Sequence, residues 1–140
     1  PFDLVIGLSG RSRNTANLVR QVRRAVEADP ERLRELESMG HLALRGRDAL
    51  VQGDDARFGD LMNQCHEALC RFDLSCDELD ELVAAARDAG ALGAKLTGAG
   101  GGGAMIALAP GAEAAVVDAM RAKGYEAFVT RVGPAEETRA

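Results

Sequence analysis

Apolar residues recur along most of the chain with the spacing of amphipathic helices. The clearest case follows Asp54, where one face of a 3.6-residue period carries the apolar side chains of Phe58, Leu61, Met62, Cys65, Leu69 and Phe72. Three further segments have the same character, and they follow Asn14, Asp29 and Ser75. Each segment opens at a residue type that caps helix N-termini, so the pattern predicts four consecutive helices.

Two of these helices carry more specific predictions. The helix that begins at Asp29-Pro30-Glu31 should run to about Gln52, with a buried stripe formed by Leu33, Leu36, Ala43 and Leu50. The last of the four has Ser75 followed three residues later by Glu78, which matches a capping box.

Short aliphatic runs that end at glycine or proline predict the strands. The first is residues 4–6, two more flank a glycine-rich segment at residues 98–103, and the last is residues 127–132. A fifth helix is predicted over residues 112–123, and residues 133–140 are expected to form a frayed tail.

The order of elements predicts the fold. The order is one strand, four helices, two strands, one helix and one strand, which becomes β-α-β-β-α-β when the helical segment is treated as one insert. We therefore predict an α+β, ferredoxin-like domain: a four-stranded antiparallel sheet with a multi-helix insert and with helices on one face. No linker or internal repeat divides residues 1–140, so a single domain is expected.

Composition limits the functional classes. The 140 residues carry a net charge of −5, which gives no general attraction to nucleic acid or to an anionic membrane. No apolar run reaches the roughly 18 residues that a membrane span needs. Three unpatterned cysteines fit a reduced, cytoplasmic setting. The chain starts at Pro1 without a methionine, from which we expect a fragment of a longer protein.

The segment Lys95–Met105 reads K-L-T-G-A-G-G-G-G-A-M and is the most unusual part of the chain. Five glycines in six positions predict a loop shaped for close contact, with amide groups turned towards an anion or towards a neighbouring loop. The apolar run that follows reads as a strand, so the dinucleotide-binding and Walker A patterns lack their context. A ligand-free glycine-rich hairpin remains the alternative.

Two sets of residues are candidates for a nucleotide or substrate cleft. One set is Lys95, Thr97, Gly98, Ala99, Gly100, Gly101, Gly102 and Gly103, and the other is Ser12, Arg13, Asn14 and Thr15 in the loop after the first strand. Hydroxyls, cations and amides suit a polyphosphate, but a general base is missing. The two histidines, His41 and His66, fall on different predicted helices, so neither a metal site nor a catalytic residue is expected in this chain.

Three segments resemble the GHMP kinase family. Lys95-Leu-Thr-Gly-Ala-Gly-Gly-Gly-Gly103 resembles the third motif of the family, in the form typical of its mevalonate kinases. Arg13-Asn-Thr-Ala-Asn-Leu-Val19 resembles the segment after the first strand of the C-terminal domain. Leu61-Met-Asn-Gln-Cys-His66 resembles an M-N-Q-x-H helix segment of that domain. The resemblance covers about residues 4–132.

The resemblance implies half of an enzyme. In the family, an N-terminal domain holds the ATP phosphate loop, the catalytic aspartate and the activating lysine, and all three are absent here. The full protein would transfer the γ-phosphoryl group of ATP, with Mg²⁺, to a mevalonate-like alcohol in isoprenoid biosynthesis, and this chain alone would be inactive. The N-terminal kinase domain would be its partner, and a homodimer of the full enzyme is compatible with the family.

Residue roles follow from the resemblance in the same way. The loop at Gly98–Gly103 would pack beside the nucleotide phosphate loop across the interdomain cleft, and Thr15 would be the hydroxyl near the active site. Asn63 and His66 would support the cleft rather than perform chemistry.

Two departures weaken the assignment of a substrate. Ala104 stands where a cysteine often follows the glycines, and Cys65 stands where asparagine or histidine is usual. The alternatives are another GHMP member, such as a sugar kinase, a phosphomevalonate kinase or a diphosphomevalonate decarboxylase. A stand-alone, non-catalytic ferredoxin-like ligand-binding module is a further alternative.

Overall fold

The computed structural model describes residues 1–134, which form four strands and five helices. In chain order these are β1 (Phe2–Leu8), α1 (Thr15–Ala28), α2 (Glu31–Val51), α3 (Asp55–Arg71), α4 (Asp77–Asp88), β2 (Gly93–Leu96), β3 (Ala104–Leu108), α5 (Glu113–Ala122) and β4 (Glu126–Val132). From residue 135 on, the predicted tail lies outside the described residues. No helix within residues 1–134 is both long and apolar enough to cross a lipid bilayer.

The four strands form one antiparallel sheet in the order β2-β3-β1-β4. Val5 lies opposite Ala107 on β3, and Phe2 lies opposite Val132 on β4. The helices α1 to α4 connect β1 to β2, and α5 connects β3 to β4. The predicted ferredoxin-like α+β fold with a multi-helix insert is confirmed.

The main core lies between one face of the sheet and the helices α4 and α5. The largest fully buried side chains of the domain are all in it except Leu108, and they are Leu79, Leu82, Leu96, Met105, Met120, Val5 and Val116. Burying each such side chain contributes about 1.5–3 kcal/mol relative to leaving it in water. This layer fixes the sheet from which the loops extend.

The other face of the sheet is partly covered by α3, so the prediction of helices on one face only is wrong. Leu4, Met62 and Leu108 form a second buried cluster, against which Phe2 and Phe58 pack with their rings edge to face at 6.2 Å. Successive side chains of a strand lie on opposite faces of the sheet, so Leu4 and Leu108 lie on the face opposite to Val5 and Ala107. Because all four are apolar, both faces of the sheet have to be covered.

Helix α3 also lies against the outer edge of β2, where two glycines allow backbone contact. A Cβ atom on Gly59 would lie 2.6 Å from the main chain of Leu92, and one on Gly93 would overlap the main chain of Gly59. No side chain other than hydrogen fits at either position, because the overlap is with backbone atoms that cannot rotate away.

The predicted stripe of α2 is wrong. Leu33 and Leu50 are 48% and 38% exposed. Ala43 is also exposed, and only Leu36 of the predicted set is partly buried. The face that packs against α3 is centred instead on Gly46 and Ala49. A Cβ on Gly46 would lie 3.5 Å from the Phe58 ring, so small size rather than hydrophobicity decides which face packs closely.

Helix starts agree with the sequence in two cases and differ in a third. The side chain of Asn14 accepts hydrogen bonds from the first turn of α1, and that of Asp54 accepts one from Arg57 N at 3.1 Å. The capping box at Ser75 and Glu78 does not form. The N-cap of α4 is Cys76, because the Ser75 hydroxyl bonds Asp80 at 2.5 Å and Glu78 pairs with an arginine from another loop.

Candidate functional site

Two loops meet at one end of the sheet. We call residues 9–14, after β1, the first loop and residues 98–103, between β2 and β3, the glycine loop. Ser9 N donates to Gly103 O at 2.8 Å, and Gly103 N donates to Arg11 O at 2.8 Å. The two candidate segments therefore form a single structure, because β3 pairs directly with β1.

Three of the glycines lie close against neighbouring parts of the same chain, two of them against main-chain atoms. A Cβ on Gly100 would overlap the Leu74 carbonyl, and one on Gly101 would overlap the side chain of Arg13. A Cβ on Gly102 would lie 2.5 Å from Arg11 O. The middle of the glycine loop is thus wedged between the first loop and the segment before α4, and Gly101 N donates to Leu74 O at 2.6 Å.

The two ends of the glycine loop have a different character. Gly98 and Gly103 have φ of +73° and +74°, and a Cβ at either position would meet nothing within 4 Å. Within residues 1–134, the amides of Gly98, Ala99, Gly100 and Gly102 donate no hydrogen bond to another residue. Successive unpaired amides in a turn of this kind have the geometry that can accept an anion.

The first loop contributes charge and a helix terminus. Asn14 is engaged as the cap of α1, since its side chain accepts from Ala16 N at 3.0 Å and from Asn17 N at 3.4 Å. Ser12 and Thr15 are exposed beside it. The first turn of α1 has no acidic residue, so the positive end of the helix dipole is not neutralised there.

The two arginines of the first loop differ in their salt bridges. Arg11 pairs with Glu78 at 3.1 Å, which raises the pKa of the Arg11 guanidinium. The pKa of Glu78 is lowered, first by its own backbone amide and then by Arg11. Arg13, by contrast, lies against Gly101 and makes no salt bridge within the described part of the chain. Its positive charge is available to a ligand at the glycine loop.

Two pockets lie near the two loops. The larger, of about 580 Å³, is mainly apolar and is lined by α1, α2 and the loop, including Leu18, Val22, Val26, Leu36, Leu74 and Ala99. The smaller, of about 290 Å³, is polar and is lined by Arg11, Arg13, Cys70, Asp73, Ser75, Cys76, Asp77 and Asp80. Of the two, only the apolar pocket is lined by residues of the glycine loop, namely Gly98 and Ala99.

Asn63 and His66, the two candidate supporting residues, bind the outer edge of β2. Asn63 Nδ2 donates to Leu92 O at 3.2 Å, and Asn63 Oδ1 accepts from Ala94 N at 3.0 Å. His66 Nδ1 accepts from Leu96 N at 3.1 Å. These bonds replace the ones that a fifth strand would make, and they fix the strand that leads into the glycine loop.

His66 also lies near Cys70 and Asp80, and the three offer potential metal ligands within 4.8 Å of one another. Because Nδ1 accepts the amide hydrogen of Leu96, the neutral ring carries its proton on Nε2, 3.8 Å from Asp80. Burial and then the charge of Arg87 lower the pKa of His66, and burial raises the pKa of the Cys70 thiol. Without a free lone pair on His66, this cluster does not suit a metal ion.

Lys95 is not placed with the other candidates. Alternation along β2 puts its side chain on the face opposite to Leu96, where it lines a pocket of about 260 Å³ with Met39, Gly46, Phe58, Met62 and Ile106. Its expected role in the cleft is therefore not supported by its position. Thr97 closes the hairpin through the bond from its amide to Ala104 O at 3.1 Å.

Leu74 and Arg11 were not among the predicted site residues, although both shape the glycine loop. Each acts through its main-chain carbonyl, which accepts an amide of the loop. Every residue has a main-chain carbonyl, so residue type does not reveal such a role. Only the tertiary fold brings these two carbonyls to the loop. Neither loop contains a carboxylate or a histidine, so the two loops themselves carry no group that could remove a proton.

Comparison with known proteins gives one family. The model of the domain described as "GHMP kinases C terminal" matches residues 47–126. A mevalonate kinase of Pyrococcus abyssi is 44% identical over 135 residues, which are 92% of this chain and 40% of that protein. A galactokinase of Thermococcus kodakarensis is 51% identical, but over only 63 residues, or 44% of this chain.

Solved structures agree with these sequence matches. The L. major mevalonate kinase, crystallised with R-mevalonate, superposes with a TM-score of 0.85 at 33% identity, covering 95% of this chain and 43% of that one. The Methanococcus jannaschii mevalonate kinase gives 0.75 at 28% identity, covering 94% of this chain and 40% of that one. The chain thus spans about two-fifths of the length of these relatives.

Proposed function

Because this chain belongs to the GHMP kinase family, as a C-terminal domain of that family, we propose that it is the C-terminal domain of a mevalonate kinase. The whole protein would transfer the γ-phosphoryl group of ATP to the primary hydroxyl of mevalonate. The observation that supports mevalonate as the substrate is sequence coverage: similarity to mevalonate kinases extends over 92% of the chain, whereas the matches to two galactokinases cover 51% and 44% of it.

The role of this chain in the reaction is to hold the phosphate end of the nucleotide. The open amides of Gly98, Ala99, Gly100 and Gly102 would donate hydrogen bonds to phosphate oxygens, and Arg13 would add a positive charge. Internal packing fixes the loop before the ligand arrives, so little ordering entropy is lost on binding.

The catalytic base and the ligands of Mg²⁺ lie outside this chain in the proposal. Mg²⁺ is held through carboxylates and substrate phosphates, and neither loop carries a carboxylate. When bound with ATP, the ion would neutralise charge on the phosphates. We therefore expect the isolated 140 residues to be inactive and to bind Mg-ATP weakly. The proposal also places the whole enzyme in the cytoplasm.

The substrate is tested on the full polypeptide that contains this chain. Purified protein is assayed for phosphate transfer from Mg-ATP to mevalonate, galactose, homoserine, phosphomevalonate and diphosphomevalonate. We expect kcat/KM for mevalonate to exceed that for each other compound by at least ~100-fold, because a site built to hydrogen-bond one substrate leaves buried polar groups unpaired when another compound binds. A preference for galactose would favour a sugar kinase, as the partial match to galactokinase suggests. No transfer to any compound would favour a non-catalytic binding module.

The role of the loop is tested with a matched pair of glycines. Gly98 and Gly111 have φ of +73° and +77°, and both have open space at the Cβ position, but Gly111 lies in the turn between β3 and α5. Replacing either with alanine imposes the same backbone strain. We expect Gly98→Ala to lower kcat/KM for ATP by about tenfold, equivalent to about 1.4 kcal/mol, and Gly111→Ala to leave it unchanged. Equal kinetics in the two variants would contradict a role of the loop in binding ATP.

A further inference from the structure

Lys95 belongs to the glycine-rich motif, but the proposed function does not use it. Its side chain lies on the face of the sheet opposite to that of Leu96, and its partner across the strands is Ile106. Lys95 is partly buried there. It takes part in none of the salt bridges among residues 1–134. Because a partly buried charge without a partner is unfavourable, this position favours an anion.

The pocket that Lys95 lines lies between the sheet and the helices α2 and α3, and its volume is about 260 Å³. Every other residue that lines it is uncharged, and none carries an amide or a hydroxyl group in its side chain. Two of them, Met39 and Met62, have flexible side chains that adapt to the shape of a ligand. The pocket therefore combines apolar walls with a single positive charge.

The size of the pocket limits the ligand. An apolar cavity of about 150 Å³ holds one benzene ring, so by proportion about 260 Å³ holds roughly ten non-hydrogen atoms. A lysine that is only partly buried keeps its aliphatic stem against apolar groups and its ammonium towards water. The charge of Lys95 therefore belongs at the mouth of the pocket, with the apolar space behind it.

We propose that this pocket binds a small anionic amphiphile, with a short hydrocarbon chain between α2 and α3 and a carboxylate or phosphate group paired with Lys95. A purely apolar molecule leaves the ammonium without a partner, and a small inorganic anion leaves the apolar walls in water. A molecule with both parts satisfies both requirements. The compact charge of lysine accepts either head group. The site is separate from the proposed nucleotide site and does not depend on it.

The larger apolar pocket beside the glycine loop is less suited to such a ligand. Its lining contains Arg23 and also Glu27, one turn further along α1, so its charges are balanced. The lining of the smaller pocket includes no carboxylate to balance Lys95. Charge therefore distinguishes the two apolar pockets.

The first test compares two ligands with the same chain on the full polypeptide that contains this chain. Octanoate and 1-octanol are titrated by calorimetry, and they differ in the charge of the head group. We expect octanoate to bind at least ~10-fold more tightly, because the bond to a charged partner is formed only by octanoate. The preference should be lost in Lys95→Met, which keeps the length of the side chain, and retained in Lys95→Arg. The control is Lys123→Met, at the exposed end of α5, which should keep the preference.

The second test locates the hydrocarbon chain. Ala43 lines the pocket from an exposed position on α2, so Ala43→Leu adds volume to the pocket without entering the core. We expect it to raise the dissociation constant of octanoate at least ~10-fold, because the added carbons occupy the space of the ligand. Val19 is exposed and lines the pocket beside the glycine loop, so Val19→Phe should leave the constant unchanged. Thermal unfolding shows that each variant is folded.

Three outcomes would overturn the proposal. Octanoate that shows no saturable binding to the wild-type protein would mean that the pocket takes no such ligand. An undiminished preference for octanoate in Lys95→Met would mean that another group pairs with the carboxylate. Binding that is weakened by Val19→Phe but not by Ala43→Leu would place the ligand beside the glycine loop.

Discussion

His66 on α3 accepts a hydrogen bond from the main-chain amide of Leu96 at 3.1 Å, two residues before the glycine loop begins. The bond requires that Nδ1 carry no proton, so it exists only while the imidazole is neutral. Burial and the neighbouring Arg87 lower the pKa of His66 from its ordinary value of 6.5. The position of the loop is therefore linked to the charge of one buried side chain.

We expect the free energy of unfolding to fall as the pH drops from 7.5 to 5.5. Unfolded His66 takes up a proton near pH 6.5, whereas the folded form takes it up only at lower pH. The stabilising contribution is thus complete above the unfolded pKa and is lost as the pH falls towards the folded pKa. Urea denaturation at a series of pH values measures the slope.

The matched variants for this measurement are His66→Gln and His41→Gln. His41 is exposed on α2, so its replacement should leave the slope intact. His66→Gln should reduce the slope, and an unchanged slope in that variant would show that another group is responsible for the acid sensitivity.

Removing the Asn63 side chain should destabilise the protein. Asn63→Ala leaves Ala94 N, the amide of a fully buried residue, without its partner, which costs about 1–3 kcal/mol, whereas Leu92 O is exposed and can accept from water instead. Asn17→Ala, on the exposed face of α1, should cost less than about 0.5 kcal/mol. Denaturant midpoints of the two variants check this, and equal losses would mean that the edge contacts contribute nothing specific.

Gly100 and Gly98 should respond differently to the same substitution. Both have positive φ, so alanine costs about 1–2 kcal/mol at either position. At Gly100 the new methyl group also overlaps the Leu74 carbonyl, which should add about 1–3 kcal/mol. Thermal unfolding of the two variants isolates this difference, and a Gly100→Ala protein as stable as Gly98→Ala would contradict the tight packing of the loop.

The hydroxyl of Tyr125 should lose its proton at a higher pH than that of an ordinary tyrosine. Its hydroxyl donates to Glu81 at 2.7 Å, and burial followed by this bond raises the pKa of Tyr125 to about 12. The folded state favours the neutral phenol, so this stabilisation is complete below about pH 10 and is lost as the pH rises through 12.

The chain has one tyrosine and no tryptophan, so ultraviolet absorbance reports the Tyr125 titration directly. Glu81→Gln should bring the midpoint back towards 10, while Glu126→Gln, next to the tyrosine in sequence, should not move it. Circular dichroism shows over which pH range the protein stays folded.

Features set by local sequence were predicted well. The caps at Asn14 and Asp54 and the apolar face of α3 depend on residues within a few positions of one another, and the structure has them as expected. The fold class followed from the order of such elements. The positions of the glycine loop and the first loop along the chain were also predicted from the sequence. The hydrogen bonds between the two loops were not.

Features set by tertiary contact were not predictable. The buried face of α2 is chosen by the fit of Gly46 against Phe58, which hydrophobic periodicity does not register. The expected capping box failed because Glu78 has a partner 67 residues away in sequence. The glycines at 100 to 102 were interpreted as a ligand loop, yet Gly100 and Gly102 are required by close contact with the main chain of Leu74 and of Arg11.

The pairing of β1 has a consequence for how the protein is made. Both neighbours of this strand, β3 and β4, come from the last third of the sequence, with Val5 opposite Ala107 and Phe2 opposite Val132. At roughly 5–20 residues per second, a ribosome needs on the order of ten seconds to supply them. Until then β1 is exposed as an unpaired apolar strand, so a nascent chain that stalls before β3 is the form most in need of a chaperone.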